Sequence, residues 1–181
     1  MTLIQSPGEI EVEGPLIYLA GPISDAANWQ SKAVRYLRKI DDTIHVAHPR
    51  GSRPYHTDIN IQYKWEQRYL NYASKQGVIL FWLANPQSPA GPGYALRTLF
   101  CLGEWLARPD VDVVVGIEPD FPGEIYVRRR ISEDFSRVPV CRDLRRACLV
   151  SMSVVQRQVE SLAWRGDTLK NAISFYDEDE E

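Results

Sequence analysis

Two glutamates stand in settings that suit acid–base or nucleophilic work. Glu66 follows Trp65 at the rim of an apolar helical stripe, and Glu104 lies between Gly103 and Trp105. A carboxylate beside glycine and aromatic rings is partly desolvated, which is the environment such chemistry uses. The same spacing also fits two ordinary helix-surface glutamates with apolar neighbours. Cys101 precedes Glu104 by three residues. On a helix the two would share a face, with Cβ atoms about 5–6 Å apart. A cysteine between Phe100 and Leu102 equally fits a small buried hydrophobe. His45 and His48 lie three apart in an extended segment, so their side chains leave opposite faces and make poor co-ligands. No metal site is expected.

Other chemistries lack their motifs. After the apolar run 16–20, Ala20-Gly21-Pro22-Ile23 has one glycine where a dinucleotide-binding loop needs three, so no nicotinamide cofactor is expected. The nucleophile-elbow pattern of α/β-hydrolases is missing as well. A formal net charge of −3 gives no footprint for a nucleic-acid polymer. The cluster Arg128, Arg129, Arg130 reads as a solvated loop.

The elements that must position these residues follow from apolar periodicity. Hydrophobic residues are 44% of the 181-residue chain and charged residues 25%, the balance of one globular domain. Leu16-Ile17-Tyr18-Leu19-Ala20 reads as a buried strand stopped by Gly21-Pro22. Trp29, Ala33, Val34, Leu37 and Ile40 recur at helical spacing. A second strand is predicted over 43–47, then a polar loop, then a helix capped by Asp58 or Asn60 that buries Ile61, Trp65, Tyr69 and Tyr72. Residues 77–83 form the clearest strand, apolar on both faces as in parallel sheets. Further predictions are a helix from Pro92 to about Ala107, a strand over 111–117, a long loop, a short strand at 138–140, and a last helix over 143–164.

Strands alternating with helices predict an α/β fold: a flavodoxin-like, doubly wound, five-stranded parallel sheet with helices on both faces. The domain is expected over 16–165, with residues 1–15 an extension and 166–181 an acidic tail. In such sheets ligands bind beyond the carboxyl ends of the strands, here segments 21–28, 49–58, 84–93 and 118–123. Longer apolar runs are strand-sized, so no membrane span is expected. The opening carries Glu9, Glu11 and Glu13 instead of a secretory pattern, and Cys101, Cys141 and Cys148 have no ligand-like spacing. A cytoplasmic location with reduced thiols is expected.

Several stretches together resemble the nucleoside 2-deoxyribosyltransferase family. Ile17-Tyr18-Leu19-Ala20-Gly21-Pro22-Ile23, with Trp29 soon after, is similar to its first strand and loop. Trp65-Glu66 with Leu70 and Ala73, running into Val78-Ile79-Leu80-Phe81-Trp82, resembles its acidic helix and third strand. Leu99-Phe100-Cys101-Leu102-Gly103-Glu104-Trp105 resembles its nucleophile helix, and Val114-Val115-Gly116-Ile117-Glu118-Pro119 its fourth strand. The likeness spans about residues 16–149.

The resemblance implies chemistry at the anomeric carbon of a deoxyribonucleoside or its 5′-monophosphate, by N-glycosidic transfer or hydrolysis, without metal or redox cofactor. It implies that Tyr18 orients the nucleophile or sugar and that Glu66 holds the sugar or base. It further implies that Gly21, Pro22 and Trp29 shape the wall, and that Trp82 stacks on the base. A homo-oligomer is implied too. For a phosphate, Arg50, Arg53 or the Arg128 cluster are the candidate cations, against the plain reading as loop charges. The family's nucleophilic glutamate falls at Cys101. Three accounts stay open: Glu104 supplies the carboxylate from the next turn; Cys101 attacks as a thiolate; or transfer is lost, leaving an altered glycosidase or a non-catalytic nucleotide-binding protein. A structural partner protein using the final helix and acidic tail is a further, different class.

Overall fold

The computed structural model describes residues 1–51 and 58–177, with side chains described to residue 161. The strands are β1 (Leu3–Gln5), β2 (Leu16–Ala20), β3 (His45–His48), β4 (Gly77–Leu83), β5 (Val113–Ile117) and β6 (Val140–Cys141). The helices are α1 (Trp29–Ile40), α2 (Ile59–Gln76), α3 (Leu96–Leu106), α4 (Glu124–Asp134) and α5 (Leu144–Asp177).

The six strands pair in parallel throughout, and the sheet order is β1-β3-β2-β4-β5-β6. Setting β1 aside, this is the doubly wound, flavodoxin-like Rossmann order expected from the sequence. The strand count is six, not five, because Leu3, Ile4 and Gln5 pair with Val46, Ala47 and His48 at the sheet edge. Part of the expected extension is therefore a strand. Every residue of β2, β4 and β5 is buried, as their unbroken apolar runs require for strands covered on both sides.

Two cores flank the sheet. One gathers Trp65, Tyr69 and Leu70 of α2, Leu102, Trp105 and Leu106 of α3, and Ile131 of α4. The other gathers Trp29, Ala33 and Leu37 of α1 with Ala147, Cys148 and Met152 of α5. Strand alternation divides β4 between them: Ile79, Phe81 and Leu83 face the first, Val78, Leu80 and Trp82 the second.

The segment before β2 straps α2. Trp65 donates its indole N–H to the Gly8 carbonyl, Tyr69 bonds both backbone groups of Ile10, and the Tyr72 hydroxyl reaches the carbonyls of Val12 and Gly14. Three sequence expectations change. Residues 124–134, expected within a loop, form α4, where Arg128, Arg129 and Arg130 each pair with an acid four residues away. Ile61, expected on the buried stripe of α2, is 51% exposed; Leu70 and Ala73 complete that stripe instead. The last helix runs on to Asp177. Among the described residues no helix is long and apolar enough to cross a membrane.

Candidate active site

The strand order reverses around β2, which has β3 on one side and β4 on the other. At that switch point, at the carboxyl end of the sheet, lies a cleft of about 260 Å3. β2 contributes Tyr18 and Ala20, the loop after it Gly21 to Ser24, and β4 contributes Phe81. α2 supplies Gln62, Glu66 and Leu70, and α3 supplies Leu96, Arg97, Thr98 and Cys101. The helical repeat explains the pairs: Gln62 and Glu66, like Arg97 and Cys101, are four residues apart and share a face.

Glu66 is the carboxylate of this cleft. Its side chain is 20% exposed; Gln62 Nε2 donates to Oε1 at 2.8 Å, and Arg97 Nη2 lies 3.2 Å from Oε2 and 3.3 Å from Oε1. Gln62 is itself fixed, its Oε1 accepting from Ser6 Oγ at 2.5 Å and its Nε2 also donating to the Pro49 carbonyl. Ser6 follows the unforeseen edge strand, so β1 helps hold Glu66 in place. Tyr18 is 2% exposed and its hydroxyl makes no hydrogen bond with a described residue. Burial above all, then the charges of Glu66 and Cys101, push that phenol well above its usual range, with Arg97 opposing. It is a neutral donor near the carboxylate.

Cys101 lines the same cleft, half-buried. Burial, then Glu104, then Glu66, push its thiol up to about 12. A thiol in that state is a poor nucleophile at neutral pH. Glu104 does not line the cleft: it accepts from Arg108 Nη2 at 2.6 Å, one turn on, and that guanidinium also lies 4.0 Å over the Trp105 ring.

The remaining predicted residues divide. Gly21 and Pro22 form the wall. Trp29 stands behind it, its indole N–H donating to the Pro22 carbonyl at 2.9 Å. A Cβ on Gly21 would collide with the Trp29 ring and the Trp82 carbonyl, so only glycine fits there. Trp82 projects from the other face of β4, packed over Gly116 and away from the cleft. Arg50 braces the first loop from behind, donating to Gln30 Oε1 and to the carbonyls of Ile23 and Ala26. Arg128 is engaged with Glu124 and the Ile117 carbonyl. Arg53 lies outside the described residues. Among the described residues the single cation lining the cleft is Arg97, which sequence reading missed although it sits one turn before Cys101.

Ala95 and the first residues of α3, 96–98, line the cleft, and no side chain caps that helix start. Its positive end therefore faces the same space as the Arg97 guanidinium. The cleft can thus receive a ligand with an anionic group at one end and hydroxyls near Tyr18 and Glu66. No protein-family model matches the chain, and no curated protein matches it significantly.

Proposed function

We propose that this cleft takes a deoxyribonucleoside or its 5′-monophosphate and hydrolyses the N-glycosidic bond. The observation that carries the reading is the Glu66 carboxylate, held by Gln62 and Arg97 at the switch point of the sheet, beside a Tyr18 hydroxyl without a hydrogen-bond partner among the described residues. The resemblance of residues 16–149 to deoxyribosyltransferases supports the choice of substrate. Water attacks the anomeric carbon and gives its proton to Glu66. The carbon–nitrogen bond breaks with its electron pair going to the base, which then takes a proton from solvent. The carboxylate also stabilises the positive charge that develops on the sugar. Tyr18, too weak an acid to give up its proton, donates a hydrogen bond to the sugar or the departing base. Neither a metal nor a redox cofactor is needed for these steps.

Hydrolysis is favoured over transfer through a glycosyl-enzyme because the family's nucleophile position holds a protonated thiol, and Glu104 is bonded outside the cleft. We assign the work to the cytoplasm and to a homo-oligomer. Supporting the second point, Leu96 and Phe100 of α3, 66% and 79% exposed, form an apolar rim beside the cleft that another subunit would cover.

The test is chromatographic: deoxyribonucleosides and their 5′-monophosphates are incubated with the protein, with and without a second free base. Free base released by the native chain and lost in Glu66→Gln is expected. Base exchange that depends on the acceptor would shift the reading to transfer. Silence across the panel, with a ligand-induced rise in Tm, would establish the second reading, a non-catalytic nucleotide-binding protein; the thiol at position 101 is the observation that favours it.

A further inference from the structure

We propose that Arg97 is shared between Glu66 and the phosphate of an incoming nucleoside monophosphate, so that a ligand which takes the guanidinium releases the carboxylate. The inference rests on the reading of the cleft just given and adds to it a substrate class and a coupling.

The two bonds that hold Glu66 are unequal. Gln62 donates at 2.8 Å and is itself locked by Ser6 and by the Pro49 carbonyl, so it cannot turn away without breaking further bonds. Arg97 reaches Glu66 through one nitrogen only, at 3.2 and 3.3 Å, from a side chain that is 70% exposed. That contact leaves unused the parallel two-bond geometry by which a guanidinium best binds an oxyanion. Arg97 is therefore the partner that Glu66 can lose. A phosphate monoester has the charge and the oxygen geometry to draw it off.

The surroundings favour a phosphate at this end of the cleft. Arg97 belongs to the first turn of α3, whose start lines the cleft without a side-chain cap; the Leu96 N–H is taken by the Gly93 carbonyl, and the positive end of the helix adds to the guanidinium charge. Tyr18, 2% exposed, lines the same cleft, and its hydroxyl, without a hydrogen-bond partner among the described residues, is left for the sugar. The sugar of the same ligand would then lie toward Glu66, freed of one counter-charge at the moment the substrate is seated. Because such a coupling is reciprocal, removing the Glu66 charge must strengthen phosphate binding through Arg97.

Binding of inorganic phosphate, and of deoxyribonucleosides paired with their 5′-monophosphates, is measured by calorimetry on the full chain. The native protein is compared with Glu66→Gln, Arg97→Gln and the double variant, after ligand-free melting shows that each folds. The native chain should prefer the monophosphate to the nucleoside. Glu66→Gln should tighten both phosphate ligands about two- to fivefold, the range expected from freeing a surface ion pair. Arg97→Gln should erase the monophosphate preference, and in that background Glu66→Gln should bring no further gain. Arg97→Lys, which keeps the charge without the fork, should retain part of the preference and serves if the glutamine variant fails to fold. No phosphate preference in the native chain, no gain in Glu66→Gln, or a full gain that persists without Arg97 would each overturn the proposal. If this binding pattern holds but no base is ever released, the hydrolytic reading fails alone.

Discussion

Cys101 and Glu104 occupy successive turns of α3, yet the thiol lines the cleft while the carboxylate is bonded to Arg108 outside it, its side chain 38% exposed. Their shared side of the helix brings Glu104 close enough to raise the thiol electrostatically, but not into the space a ligand would fill. Glu66, from a different helix, is the acid that reaches that space.

The roles of the two glutamates separate in one assay. Glu66→Gln should lower base release by about 100-fold or more, the usual size of an acid–base contribution. Glu104→Gln should stay within about threefold of the native rate, because it loses only a surface pair. The opposite ranking would return the catalytic carboxylate to α3.

The cysteine gives a reading that does not depend on turnover. With its thiol pushed up to about 12, Cys101 should react slowly with iodoacetamide at pH 7. The rate should climb about tenfold per pH unit up to about pH 11, following the thiolate fraction. Glu66→Gln should speed the reaction at a given pH, since the Glu66 charge is one cause of the shift. Mass spectrometry of the modified peptide, with Cys101→Ser as blank, checks both. A plateau near pH 8 would mean an activated thiolate and would revive the cysteine as nucleophile.

His48 sets an acid limit on stability. The ring is 2% exposed at the end of β3, with Gln5 Nε2 3.3 Å from its Nε2. Burial first, then the neighbouring Arg50 charge, lower its pKa from 6.5 to about 4. The folded chain favours the neutral ring, so the unfolded chain takes up the proton first as pH falls. This contribution to stability is complete above pH 6.5 and is lost between 6.5 and about 4, at most about 3 kcal/mol. Denaturant titrations at pH 7, 5.5 and 4 should show that loss, and His48→Gln should flatten it. An equal acid decline in the variant would assign the effect elsewhere.

What was legible in the sequence was whatever a local pattern announces. The continuous apolar runs of β2 and β4 give the parallel, doubly wound core, and with it the end of the sheet where the cleft lies. β1 was not legible: Leu3, Ile4 and Gln5 are strand-like only because β3 lies beside them, some forty residues on. α4 was hidden for another reason. It buries only Ile131 and is supported by three ion pairs along its surface, so no apolar stripe marks it. In the site, Tyr18, Gly21, Pro22, Glu66 and Cys101 do converge. Arg97 and Gln62 were passed over although each stands four residues from a residue already singled out; the helical repeat was the available signal. The resemblance puts Trp82 on the base, but strand alternation sends Phe81 to the cleft side and Trp82 to the opposite core, an alternation that the unbroken apolar run of β4 conceals.

The sheet ends in a three-residue strand on one side and a two-residue strand on the other. A template that short offers too few open backbone groups for a foreign strand to zip onto it. Copies of this chain that meet in a crowded solution therefore have little opportunity to extend one another's sheets into fibrils.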